Sequence, residues 1–233
     1  MPELPEVESI RRSLTILEGE LVQDVEARDS DVYVDPFSID NAEERLSNQE
    51  IRSFSREGKY LLCGFDQGWL MYSLRMTGKV MLLDKPPADP DVPVLTLQCK
   101  RVGYSLYFTT VRRLSRLHWI DRDNRSTYES LEKLGPDPLS DRFTLEVLRN
   151  RAETRTGPIK NILMDQSFVA GIGNIYASEI CFETGIDPRR RVPQIRQSEW
   201  EKLYEKIVST LRKAALLGGS SFTNFRGVEG KPG

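Results

Sequence analysis

The apolar residues of this chain keep two different periods, and the change between them falls near Pro138. Before it lie short strand-like runs, several of which alternate apolar and polar residues with period two, the mark of half-buried strands. Such runs cover 51–56, 60–65, 69–75, 79–83, 94–99, 105–109 and 116–120, with Gly, Pro and Asp between them. Residues 84–93, with four prolines, read as a loop. After Pro138 the spacing turns helical, over 144–151, 158–164, 175–184 and 199–217. In the last of these Trp200, Leu203, Tyr204, Ile207, Val208 and Leu211 share one face, and Ser198 with Glu201 suggests a capping box. A period-two pattern buries nothing useful as a helix, and a 3.6 pattern fails as a strand. The chain is therefore expected to be a two-domain α+β protein. An N-terminal β-sandwich with a leading helix comes first, then a helical domain. The expected divisions are 1–125 and 126–217, with the polar stretch 121–132 as linker and 218–233 as a glycine-rich tail.

Residues 5–18 make the leading helix. Pro5 suits a first turn, Glu6 and Glu8 favour the positive helix end, and Gly19 can stop it. Val7, Ile10, Leu14 and Leu17 form its buried stripe. No apolar run reaches transmembrane length, and the acidic N-terminus is unlike a signal peptide, so a cytoplasmic location is expected. Three scattered cysteines and the single histidine, His118, include no Cys-x-x-Cys pair. They cannot build a four-ligand structural zinc site, and no cofactor is expected. Net charge is −2, unlike most DNA-binding domains, although arginines cluster at Arg112-Arg113 with Arg116 and at Arg189-Arg190-Arg191.

The chemistry starts at Met1-Pro2-Glu3. Removal of Met1 would leave Pro2 with a free secondary amine, able to attack a sugar carbon and form an iminium. Glu3 would then stand one residue away as a proton donor or acceptor.

Four segments, in order, resemble the formamidopyrimidine-DNA glycosylase / endonuclease VIII family of DNA repair enzymes. They are Pro2-Glu3-Leu4-Pro5-Glu6-Val7-Glu8, Arg56-Glu57-Gly58-Lys59-Tyr60-Leu61, Leu74-Arg75-Met76-Thr77-Gly78, and Ile159-Lys160-Asn161 followed by Gly171-Ile172-Gly173-Asn174-Ile175-Tyr176-Ala177. The last pair resembles the family's helix–two-turn–helix. The resemblance covers essentially the whole chain and implies a monomer acting on double-stranded DNA with oxidised bases or abasic sites, bound across a cleft between the domains. It implies Pro2 as nucleophile, Glu3 as acid, Glu6 as an aid to proton ordering, and Lys59 against phosphate beside the lesion. Met76, Arg112 and Leu114 would fill the void left by an extruded base, with Arg113 on the same segment. Leu114 stands where Phe is usual and Val111 where Pro is usual. Lys160, Gly173 and Asn174 would hold phosphate, the glycine amides cradling it at a helix start. Ser220, Ser221 and Phe222 would approach the extruded base. Many relatives carry a C-terminal zinc hairpin; the 233 residues leave no length for one. The expected activity is excision of oxidised purines with abasic-site cleavage. Oxidised pyrimidines, a damage-binding protein without catalysis, and an RNA-binding module are the alternatives.

Overall fold

The computed structural model describes residues 1–99, 103–125 and 128–219. Helix α1 (Leu4–Leu14) starts with Pro5 in its first turn and continues into a 3₁₀ turn, Thr15–Leu17. The carboxylate of Glu6 reaches back to accept the backbone N–H of Glu3 at 2.8 Å, closing the first turn. Val7, Ile10, Leu14 and Leu17 are all buried, as their spacing predicts.

Two sheets follow. One has the order β1-β7-β8-β6 and comprises Val22–Ala27, Pro93–Cys99, Ser105–Thr110 and Gly78–Leu83. The other has the order β2-β9-β5-β4-β3 and comprises Tyr33–Val34, Arg116–Asp121, Gly68–Ser73, Tyr60–Gly64 and Ser53–Glu57. Pairing is antiparallel except between β2 and β9. The core lies between the sheets: Leu61, Leu70 and Tyr72 from one meet Val80, Leu97 and Phe108 from the other. Tyr72 and Phe108 pack edge to face at 5.3 Å, and the Tyr72 hydroxyl donates to the Thr109 carbonyl at 2.6 Å. Buried aromatic pairs of this geometry add to the stabilisation from apolar burial alone.

Four elements depart from the sequence reading. Strands β1 and β2 were not separately visible in it. Helix α2 (Ile39–Leu46) has only three apolar residues in eight, yet Ala42 and Leu46 are buried, and Asn41 accepts the Ser38 N–H at 3.0 Å. A short α3 (Glu129–Glu132) interrupts the polar stretch read as linker.

The second core belongs to α4 (Leu145–Ala152), α5 (Ile159–Met164), α6 (Asn174–Thr184) and α7 (Gln197–Leu216). Thr144 caps α4 by accepting the Val147 N–H at 3.2 Å. Gly185, at φ 71°, ends α6. Helix α7 starts two residues earlier than its spacing suggests. The Ser198–Glu201 box is replaced by Glu199, whose carboxylate accepts the Arg196 N–H at 2.8 Å. Its face carrying Trp200, Leu203, Ile207 and Leu211 is buried.

Helix α1 also packs on α7, so the leading helix of the sandwich sits against the helical domain. Arg56, at the end of β3 with only 6% of its side chain exposed, reinforces that junction. Its guanidinium donates to Glu8 at 3.2 Å, to the Gly58 carbonyl at 3.1 Å and to Asp137 at 2.6 Å. Breaking such a buried set by removing one member costs more than the net worth of the set.

Candidate active site

Met1 is half exposed and Pro2 is buried immediately behind it. The chain then enters the space before α6. The Leu4 N–H donates to the Gly171 carbonyl at 3.0 Å. Gly171 has φ 92°, and a Cβ there would lie 2.5 Å from that of Leu4, so glycine is required twice over.

The Glu3 carboxylate lies at the start of α6. It accepts the N–H of Gly173 at 2.6 Å, of Ile175 at 2.9 Å and of Tyr176 at 3.4 Å. It is 2% exposed. A helix start attracts anions through its unpaired N–H groups and its dipole. Here the anion comes from the chain itself. The amide of Gly173, which the sequence reading offered to a phosphate, is occupied by Glu3, and so is that of Ile175. Gly173 is needed because a Cβ would sit 2.5 Å from a Glu3 oxygen.

Burial pushes the Glu3 carboxyl above its ordinary range, and this outweighs the pull of the Ile175, Gly173 and Tyr176 amides and of Lys59. Lys59, half-buried between β3 and β4, is displaced the other way: burial lowers its pKa against the attraction of Glu3 and Glu6. The backbone of Gly58, at φ 56°, turns the chain so that Lys59 faces the two acids. Glu6 is 2% exposed; one oxygen holds the Glu3 N–H and the other accepts the Tyr176 hydroxyl at 2.6 Å. Pro2, Glu3, Glu6 and Lys59 therefore converge, although they come from a terminus and a hairpin turn.

A second group lies on two neighbouring loops of the sandwich. Met76, between β5 and β6, is 49% exposed; Leu114, between β8 and β9, is 45% exposed; Arg112 is exposed beside it. The Arg112 N–H donates to the Thr77 hydroxyl at 3.1 Å and Ser115 donates to the Leu74 carbonyl at 2.9 Å, which fastens the loops together. Arg113, at φ 52°, directs its guanidinium to Asp29 at 2.9 Å. The other arginine cluster is also taken up locally: Arg189 pairs with Asp187 and Arg190 with Glu199, while Arg191 donates to the Thr156 carbonyl at 3.0 Å. Lys160 on α5 is half-buried and Asn174 at the start of α6 is exposed. Ser220, Ser221 and Phe222 lie outside the described residues.

The cysteines do not suit the zinc of the family's hairpin. Cys63 and Cys99 are buried in the sandwich core and Cys181 in the helical core, so they cannot meet on one ion. Among the described residues no three His, Cys, Asp or Glu side chains are placed to hold a metal. No helix among them is long and apolar enough to cross a membrane.

Tyr176, Arg56 with Asp137, and Gly219 belong to this site or its support and were not singled out from sequence. Tyr176 lay inside a quoted motif, but nothing in its spacing pointed it at Glu6.

A β-sandwich whose N-terminal segment is anchored on the second helix of a helix–two-turn–helix unit defines a class of two-domain proteins. Residues 1–117 match the formamidopyrimidine-DNA glycosylase N-terminal domain and residues 134–226 match the formamidopyrimidine-DNA glycosylase H2TH domain. The chain belongs to the formamidopyrimidine-DNA glycosylase family. It is 34% identical to the formamidopyrimidine-DNA glycosylase of Cytobacillus firmus and 39% identical to that of Pseudomonas putida, in each case over 100% of this chain and 85% of the relative. It superposes with a TM-score of 0.88 on Lactococcus lactis Fpg in complex with DNA containing N7-benzyl-Fapy-dG, at 32% identity over 99% of this chain and 85% of that one. The same enzyme in complex with DNA containing an abasic site gives 0.89 at 31% identity, over 99% of this chain and 84% of that one.

Proposed function

We propose that the protein is a bifunctional DNA glycosylase and abasic-site lyase that excises oxidised purines, 8-oxoguanine and formamidopyrimidines, in base excision repair. The observation that carries the reading is the Glu3 carboxyl buried at the start of α6, one residue from Pro2 and facing Lys59. With Met1 removed, the neutral Pro2 nitrogen attacks the sugar C1′ and forms the N–C1′ bond. The glycosidic bond breaks, its electron pair leaving with the base, which takes up the proton lost by the amine. The raised pKa of Glu3 suits it to supply the second proton, to O4′, as the C1′–O4′ bond opens. The product is an iminium. Loss of the 2′ hydrogen as a proton then expels the 3′-phosphate and cuts the strand. Lys59 holds the adjoining phosphate; Lys160 and Asn174 hold others. Met76, Arg112 and Leu114 occupy the gap in the duplex, on loops stiff enough to keep them extended into it. The family membership and the DNA-bound relatives support the substrate class.

The test is borohydride trapping on abasic duplex DNA, with Met1 removal blocked as the contrast. Trapping is expected only of the processed chain; equal trapping of the blocked chain refutes Pro2 as nucleophile. A panel of single-lesion duplexes then separates purines from pyrimidines. Preferential excision of thymine glycol over 8-oxoguanine would assign the pyrimidine branch instead, a reading that the aliphatic Leu114 favours because it cannot stack as an aromatic wedge would.

A further inference from the structure

We propose that Tyr176 is a positioning residue for the Pro2 amine: it fixes Glu6, and Glu6 fixes the peptide to which Pro2 is attached. The inference rests on the reading of Pro2 as nucleophile. Once Met1 is gone, the Pro2 ring is covalently tethered only through its own carbonyl, although it remains buried. The direction of its nitrogen lone pair then depends on the orientation of the Pro2–Glu3 peptide together with the packing of the ring. The N–H of that peptide donates to one oxygen of Glu6 at 2.8 Å. The next N–H, of Leu4, donates to the Gly171 carbonyl at 3.0 Å. Leu4 is thus anchored on backbone, but the Pro2–Glu3 peptide is anchored on a glutamate with three rotatable side-chain bonds.

Each bond to a glutamate narrows its swing, and ordering such a side chain has an entropic cost. The second Glu6 oxygen accepts the Tyr176 hydroxyl at 2.6 Å, the short distance of a charge-assisted bond. Tyr176 is itself buried, at 4% exposure, in the first turn of α6, and its own N–H is directed at Glu3. Gly219, three residues past α7, closes the other side of Glu6; a Cβ there would lie 2.7 Å from the Glu6 Cγ. Burial, and then the charges of Glu6 and Glu3, push the Tyr176 phenol far above its ordinary range, so it remains a donor throughout the working pH range. Tyr176 is too deeply placed to be a substrate contact. Its effect reaches the reaction through Glu6.

The experiment measures the single-turnover rate of borohydride trapping on an abasic duplex and, separately, the Kd for a duplex carrying the unreactive tetrahydrofuran analogue. Tyr176→Phe is expected to slow trapping about tenfold, the loss of one hydrogen bond to a charged group, while the Kd stays within about twofold. In a Glu6→Ala background the same substitution is expected to change trapping by less than about twofold, because the acceptor is already gone. A purely structural tyrosine would weaken binding and trapping together and would act equally in both backgrounds; that result overturns the inference. If the parent traps and Tyr176→Phe traps at the parental rate, the Tyr176 role is wrong and the Pro2 reading stands. If the processed parent does not trap at all, the Pro2 reading fails and takes this role with it. Gly219→Ala disturbs the same carboxylate from its other face, with the added strain of alanine at φ 91°, which Gly185→Ala at φ 71° controls for. It is expected to slow trapping by a similar factor even if Tyr176→Phe does not fold, and an unchanged rate there also overturns the inference.

Discussion

Gly173→Ala isolates the seat of Glu3 from every other feature of the site. The backbone of Gly173 is extended, φ −125° and ψ −158°, so alanine meets no conformational penalty there. The new Cβ would lie 2.5 and 2.8 Å from the two Glu3 oxygens. Ordinary contact is near 3.4 Å, so the carboxylate must move by about 1 Å. It then gives up the amides of Gly173 and Ile175, now at 2.6 and 2.9 Å. Two bonds to a charged group contribute about 1.5–3 kcal/mol each, and water refills part of the loss, which leaves a destabilisation of about 2–4 kcal/mol. For a chain of this size that lowers the melting temperature by about 8 °C. Misplacing the acid by about 1 Å lowers excision by about a hundredfold. Differential scanning fluorimetry and single-turnover excision of 8-oxoguanine read the two effects. Gly185→Ala is the control. It strains a left-handed residue, φ 71°, that has open space around it, so it costs about 1 kcal/mol and leaves excision unchanged. A Gly173→Ala protein that melts with the parent and excises within twofold of it would refute the role given to the α6 amides.

Glu8 sets an acid limit on stability. Burial works to raise its carboxyl, but Arg11, Arg56 and Arg12 outweigh that and hold it at about 2, below its ordinary 4.5. A depressed pKa contributes stability above 4.5 that is lost as pH falls from 4.5 towards 2, here about 1–2 kcal/mol because the partly exposed Arg11 and Arg12 are screened by solvent. The urea midpoint should therefore drop across that window in the parent and drop less in Glu8→Gln; parallel curves would contradict the assignment. Lys160→Ala is expected to weaken DNA binding equally across sequences and to reduce the salt slope by about one, read from affinities at several salt concentrations. A change in base preference with an unchanged slope would count against phosphate contact.

What could be read from the residues was whatever depends on local period or on a fixed motif. The stripe Val7, Ile10, Leu14, Leu17 places α1 correctly because each turn must present one residue to the core. Most of the strands were legible for the same reason. Helix α2 was not: Ile39, Ala42 and Leu46 give too narrow a stripe, and the helix exists because Ser38 and Asn41 cap it and the sandwich covers it. In the site, Pro2, Glu3, Glu6 and Lys59 were identifiable, but the atoms that hold them were not. Glu3 finds its three amides some 170 positions along the chain. No spacing rule links such a pair. The arginine clusters show the converse failure. Sequence displays the charges of Arg113, Arg189 and Arg190 but not Asp29, Asp187 and Glu199, which take them up.

The seating of the Glu3 carboxylate on the amides at the start of α6 has a consequence for how the protein is made. Synthesis runs from Pro2 towards α7, and domains generally fold as they emerge. The sandwich strands are complete by Asp121, long before Gly173, Ile175 and Tyr176 have left the ribosome. Until they do, the carboxyl of Glu3 has no seat and Glu6 no phenol to hold it. A nascent or prematurely terminated chain that stops before Gly173 thus lacks the groups that seat Glu3 and Glu6. The candidate site is complete only when the last-made part of the chain has reached its first residues.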